Sequence, residues 1–214
     1  MYEKRKPEEI KLHRNALKQY LFGSAIGLSV ILVLIINMIF GWVTFESVNA
    51  NVNIYDGIYF NFFFAALQDI VYYLIIFRIS EQYLGSYIAA IISGIIFGFK
   101  HLLFPDYSFF CGLMIFFDAF ILFPSLYIRS RNIWTVLGFH FTWNFIQTTI
   151  LGISKIPDQN SVFNLNVDGP ILFAGDTTGF EPSIFTFIIA ISIGLYLFFE
   201  IKKQNKIIKP FWAK

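Results

Sequence analysis

The sequence predicts an all-α, polytopic membrane helix bundle of about six transmembrane helices, with both ends on the cytoplasmic side. Three observations predict it. Of 214 residues, 57% are hydrophobic and 14% charged, against roughly 25% charged in an ordinary soluble domain. The 28 Phe, 11 Tyr and 4 Trp add more apolar surface than a water-soluble chain of this length can bury. The apolar residues also form continuous runs of about 20, the length a spanning helix needs. They lack the alternation of a β-barrel, the other structure that satisfies its backbone in hydrocarbon.

The elements follow in order. Residues 1–19 form a cytoplasmic basic tail with Lys4, Arg5, Lys6, Lys11, Arg14 and Lys18, and His13 among them is solvated. The first span covers Tyr20–Val43. It exceeds the roughly 7–15 residues of a signal-peptide apolar region and no small-residue cleavage site follows, so it reads as a retained helix. After a polar loop with Glu46, Asn49, Asn51, Asn53 and Asp56, the second span covers Ile58–Phe77 and turns at Arg78, Ser80, Glu81 and Gln82. The third covers Tyr87–Phe104 and stops at Pro105-Asp106, the fourth covers Phe109–Ile128, and the fifth Ile133–Leu151. A loop from Gly152 to Pro182 holds Asp158, Asp168, Asp176 and Glu181; the sixth span is Ser183–Phe199. Residues 20–200 thus form the bundle and 201–214 a second cytoplasmic basic tail. The single Cys111 forms no internal disulfide and reads as an inert buried thiol.

Charge sets the orientation. Both tails, Arg78, Arg129 and Arg131 fall on one side of a six-span arrangement. The opposite side carries only Lys155, and Lys100 lies within the third span. Lys and Arg mark the cytoplasmic face, which gives N-in, C-in.

Ionisable groups cost roughly 2.5–3.5 kcal/mol each at the centre of a spanning helix, yet this chain carries several. Gln68 and Asp69 are adjacent in span two; Lys100 and His101 are adjacent in span three; Asp118 is in span four; His140, Asn144 and Gln147 are in span five. Asp118 reads as a structural partner of Lys100, and Gln147 as interhelical glue. Phe97 and His101 are four apart, as are His140 and Asn144, so each pair shares a helix face. A bundle that turns these faces inward gathers Gln68, Asp69, His101, His140 and Asn144 around one polar cavity. Levelling His101 with the mid-membrane residues calls for a bend at Gly94 or Gly98.

These residue types suit water attack on an amide. A His or carboxylate takes the proton, and a His with an Asn one turn away supplies donors to the oxyanion. Two His and a carboxylate would equally hold a divalent metal such as zinc. The residue types alone leave both routes open, so no cofactor is assigned.

Phe97-Gly98-Phe99-Lys100-His101 and His140-Phe141-Thr142-Trp143-Asn144 resemble two motifs of the CAAX-protease and bacteriocin-processing (CPBP, or Abi) family of intramembrane endopeptidases. That family's pattern is Glu-Glu-x-x-x-Arg, then Phe-x-x-x-His, then His-x-x-x-Asn or His-x-x-x-Asp, each on a membrane helix. The segment Gly169–Ile184 also looks like the end of bacterial members, and the resemblance runs from about Phe60 to Tyr196. The first motif departs: Gln68-Asp69 stands for the paired Glu and Tyr73 for the Arg. The resemblance implies that the first acid and the His of the second motif activate water. Asp69, or Gln68 as a positioner, and His101 take those places, with His140 and Asn144 at the oxyanion.

The expected function is therefore a multi-pass endopeptidase of the cell membrane. It would meet membrane lipid and a membrane-associated peptide or protein, and no nucleic acid. The departure at Gln68 and Tyr73 raises a second function: a catalytically inactive relative acting as a membrane binding, immunity or regulatory protein. A small transporter is a third reading and rests only on the buried polar residues.

Overall fold

The structure, a computed structural model, describes residues 15–154 and 160–213. His13, Lys155, Asp158 and most of the N-terminal tail lie outside the described residues. Among the described residues, four helical stretches are long and apolar enough to cross a membrane: Ala16–Ile39, Ile54–Leu103, Phe109–Ser130 and Ile184–Lys203. The molecule is an all-α membrane helix bundle.

The first rod is α1 (Ala16–Gly27) followed by α2 (Val30–Ile39), with a tight turn at Leu28-Ser29 between them. Helix α1 lies directly on α6 (Ile133–Phe145). A Cβ on Gly23 would collide with the Thr135 carbonyl, and one on Gly138 with that of Tyr20. In lipid no hydrophobic force pushes helices together, so such small-residue contacts are what packs them. Asn132 caps α6 by accepting from Trp134 N at 2.8 Å. Most of α6 is buried, which makes it the central helix, and it continues as a wider π-helical stretch over Ile146–Ile150.

Helix α3 (Ile54–Asp69) runs through a π-helical stretch, Ile70–Phe77, straight into α4 (Arg78–Lys100). The reversal between spans two and three is at Gly85, at φ 80° and ψ 167°, not at Arg78–Gln82 as the polar residues suggested. Those residues stay helical because Glu81, fully buried, is neutralised by Arg131 Nη1 at 2.5 Å and Nη2 at 3.1 Å. Ser86 Oγ donates to the same carboxylate at 2.6 Å and accepts from Ile208 N at 2.9 Å. The C-terminal residues are thereby strapped across the hairpin. Glycine is required at position 85: its φ is left-handed, and a Cβ would sit 2.8 Å from Pro210 N.

Moving the turn also brings the motifs level. Asp69 lies 16 residues before Gly85, and His101 lies 16 after it. The bend expected at Gly94 or Gly98 is absent. These glycines instead let α4 lie against α5 (Phe109–Ser130), where Cβ atoms would approach Phe120 Cα at 2.9 Å and Phe116 Cα at 2.6 Å.

The loops at the far end of the bundle are partly ordered as sheet. β1 (Val43–Val48) pairs antiparallel with β2 (Phe163–Val167), with a bulge between Phe45 and Ser47. A single turn, α7 (Ile171–Ala174), precedes α8 (Ile184–Lys203), which Ser183 caps. The core centres on Tyr73, Phe77, Leu122, Leu126 and Tyr127, while Ile35, Phe63, Ile91, Ile95 and Phe199 face outward, as lipid contact requires.

Candidate active site

A cavity of about 470 Å³ opens among α3, α4, α5, α6 and α8, and Gln68, His101, His140 and Asn144 all line it. Four of the five residues singled out by sequence thus share one wall system. The fifth, Asp69, lies just behind. Its side chain is fully buried, and Oδ1 accepts from His140 Nδ1 at 2.8 Å. Asp69 therefore works with His140 and not, as the motif order suggested, with His101.

The histidines are held in complementary ways. His101 Nδ1 is 2.9 Å from the Phe97 carbonyl oxygen, one turn back on α4. A carbonyl only accepts, so Nδ1 carries the proton and Nε2 is left with its lone pair. In His140 the Nδ1 proton points at a carboxylate, which fixes the orientation of the ring. The ring of Phe97 separates the two, 5.4 Å from that of His101 and 6.0 Å from that of His140. Phe97 is thus the spacer of the pair as well as the start of its motif.

Gln68 accepts from Lys100 Nζ, which also lies 4.2 Å from the Phe97 ring centroid and 4.6 Å from that of Tyr72. The expected pairing of Lys100 with Asp118 is not made: the lysine is drawn to Gln68, and Asp118 Oδ1 is buried without a partner. Tyr73 stacks on Phe123 at 5.2 Å, and its hydroxyl has no partner among the described residues.

Glu181 also lines the cavity. Its Oε1 accepts from Trp143 Nε1 and Gln147 Nε2, both at 3.1 Å, so a residue of α6 and one of its π-helical continuation, on either side of Asn144, hold a carboxylate from the loop before α8. Burial raises its pKa; the hydrogen bonds from Trp143 and Gln147 pull the other way. Gln147, read from sequence as glue, also takes Phe180 N on Oε1 at 2.7 Å. Sequence reasoning passed over Glu181 because it lies in a polar loop. The signal was present in the run Asp176–Glu181, which follows Gly175, contains Gly179 and lies beside a span.

A metal does not fit these residues. Among the described residues no three His, Cys, Asp or Glu side chains converge as ligands, and Asp69 is engaged by His140. No step is therefore routed through a metal.

Residues 50–146 match the family model of type II CAAX prenyl endopeptidase, Rce1-like. Over that stretch the chain is similar to the CAAX-protease family. No curated protein and no solved structure matches it significantly. The matched stretch contains Gln68, Asp69, His101, His140 and Asn144 and ends before Glu181. In CAAX-protease terms, the second and third motifs are intact and face one cavity. The first motif contributes an amide bonded to a lysine and a carboxylate bonded to a histidine.

Proposed function

We propose that this protein is a multi-pass endopeptidase of the cell membrane, N-in and C-in, that hydrolyses a peptide bond with activated water. One observation carries the reading. Each histidine has its Nδ1 already engaged, His101 by Phe97 O and His140 by Asp69 Oδ1, on the wall of one shared cavity. That leaves both Nε2 atoms for a substrate.

His101 Nε2 takes a proton from water as the oxygen attacks the carbonyl carbon. His140, held at Nδ1 by Asp69, donates from Nε2 in its protonated form to the oxyanion, and Asn144 one turn on offers Nδ2 to the same oxygen. When the tetrahedral intermediate collapses, His101 returns its proton to the leaving amine. The peptide lies among Phe60, Phe64, Leu67, Val71 and Ile193, an apolar lining that suits a membrane-embedded or lipid-bearing segment. The matched family's prenyl-peptide substrates are of that chemical kind.

The test uses the purified protein in lipid nanodiscs with quenched fluorogenic peptides bearing an apolar or prenylated end. Cleavage is expected, with a loss of about a hundredfold or more in His101→Ala and in His140→Ala. A second reading, a non-catalytic peptide-binding relative, is favoured by one observation: Gln68 is a neutral amide committed to Lys100. If the parent cleaves nothing and Gln68→Glu does, the binding reading replaces the catalytic one.

A further inference from the structure

Away from the histidines, the cavity has a wall of unsatisfied acceptors. Asp118 on α5, Glu181 in the loop and Thr186 in the first turn of α8 all line it. Among the described residues, Asp118 Oδ1, Glu181 Oε2 and Thr186 Oγ1 are buried with no hydrogen-bond partner. Three orphaned oxygens from three elements bordering one cavity are costly unless something fills them. The elements are held together: Phe117, beside Asp118, packs edge-on against Phe187, beside Thr186, at 5.5 Å.

The wall is also built to hold its shape. Trp143 and Gln147 fix Glu181 through Oε1, which leaves Oε2 as the unused atom. Gly179 makes room for it, since a Cβ there would lie 2.5 Å from Oε2, and its φ of 116° suits glycine alone. Thr186 is 2% exposed, so its hydroxyl is not simply turned to solvent. Lys100, which also lines the cavity, is committed to Gln68.

Among the described residues no three His, Cys, Asp or Glu side chains converge as metal ligands. An ammonium group carries three N–H donors and no acceptor. We propose that the wall of Asp118, Glu181 and Thr186 is a recognition subsite for a primary ammonium group on the peptide, a lysine side chain or a free N-terminus. The proposal rests on the peptidase reading and supplies its substrate preference: an apolar membrane segment with a positive charge near the scissile bond. The ammonium neutralises the acidic wall and orients the carbonyl toward the histidines.

The experiment measures binding apart from hydrolysis. Reduced-amide peptides, which cannot be cleaved, are matched except for lysine or norleucine at one position. They are titrated into the nanodisc-embedded His101→Ala protein by fluorescence polarisation, and an N-acetylated form is compared with a free N-terminus. Lysine or the free amine is expected to bind about tenfold tighter or more, as a charged hydrogen bond predicts. The preference should fall below about threefold in Asp118→Asn and in Glu181→Gln. Thr186→Val serves where either variant melts too low to assay. Equal binding of lysine and norleucine, with no effect of acetylation, overturns the subsite. So does a preference that survives all three substitutions, or one that calcium alone abolishes at millimolar concentration. A parent that binds with the expected preference yet cleaves nothing sinks the peptidase reading and leaves the subsite standing.

Discussion

His140 Nδ1 and Asp69 Oδ1 meet at 2.8 Å with the Asp69 side chain wholly buried, joining the central helix to α3 at the level of the cavity. Asp69→Asn keeps the shape and an acceptor for Nδ1 but removes the carboxylate charge beside the ring. It should fold normally and lose about 10²–10³ in cleavage rate, the effect of losing one oxyanion donor. Asp69→Ala leaves His140 buried without its partner and should lose about 3–5 kcal/mol of stability. Thermal melting alongside peptide cleavage separates the two outcomes.

The Glu81–Arg131 pair predicts a purely structural effect. Glu81 is fully buried and Arg131 supplies its counter-charge. Arg131→Met should therefore cost about 3–5 kcal/mol, and Glu81→Gln with Arg131→Met should recover much of it, because the double variant no longer buries a lone charge. Chemical denaturation in detergent measures both.

Two glycines distinguish packing from backbone strain. Alanine at Gly98 would put Cβ 2.6 Å from Phe116 Cα and push α4, with Phe97 and His101, away from α5. A loss of about 1–3 kcal/mol is expected, together with a fall in cleavage. Gly41→Ala meets nothing within 4 Å but holds φ at 72°. It should cost about 1–2 kcal/mol and leave the cleavage rate unchanged.

Glu181 predicts a pH dependence. Burial holds its carboxyl above the ordinary value of 4.5. Below that value both the folded and unfolded chains are protonated, and the group makes no difference. As pH rises the unfolded chain ionises first, so the folded state loses relative stability until pH passes the raised pKa. Glu181→Gln does not titrate. Its melting temperature relative to the parent should rise as pH climbs from 4.5, and a constant difference across that range would contradict the burial argument.

Much of this site was legible as spacing. Phe97 to His101 and His140 to Asn144 are single helical turns, so shared faces follow from 3.6 residues per turn whatever the surrounding fold. Apolar runs and the placement of Lys and Arg predicted the bundle. The reversal point was misread because Arg78, Glu81 and Gln82 look like a loop in sequence. A buried ion pair with Arg131, fifty residues on, lets Glu81 stay helical, and one sequence offers no local sign of it. Lys100 was matched to Asp118 by charge, whereas the bundle brings it to Gln68. Glu181 was missed for the same kind of reason: its partners, Trp143 and Gln147, lie more than thirty residues back along the chain.

The left-handed glycine at position 85 makes the α3–α4 hairpin behave as a ruler with its zero at the fold. Asp69 and His101 sit at equal counts along the two arms. Inserting or deleting one residue in either arm shifts everything beyond it by about 1.5 Å and swings it by about 100°. His101 would then leave the pocket for the acyl chains. The arms are free to vary in composition toward lipid, but not in length.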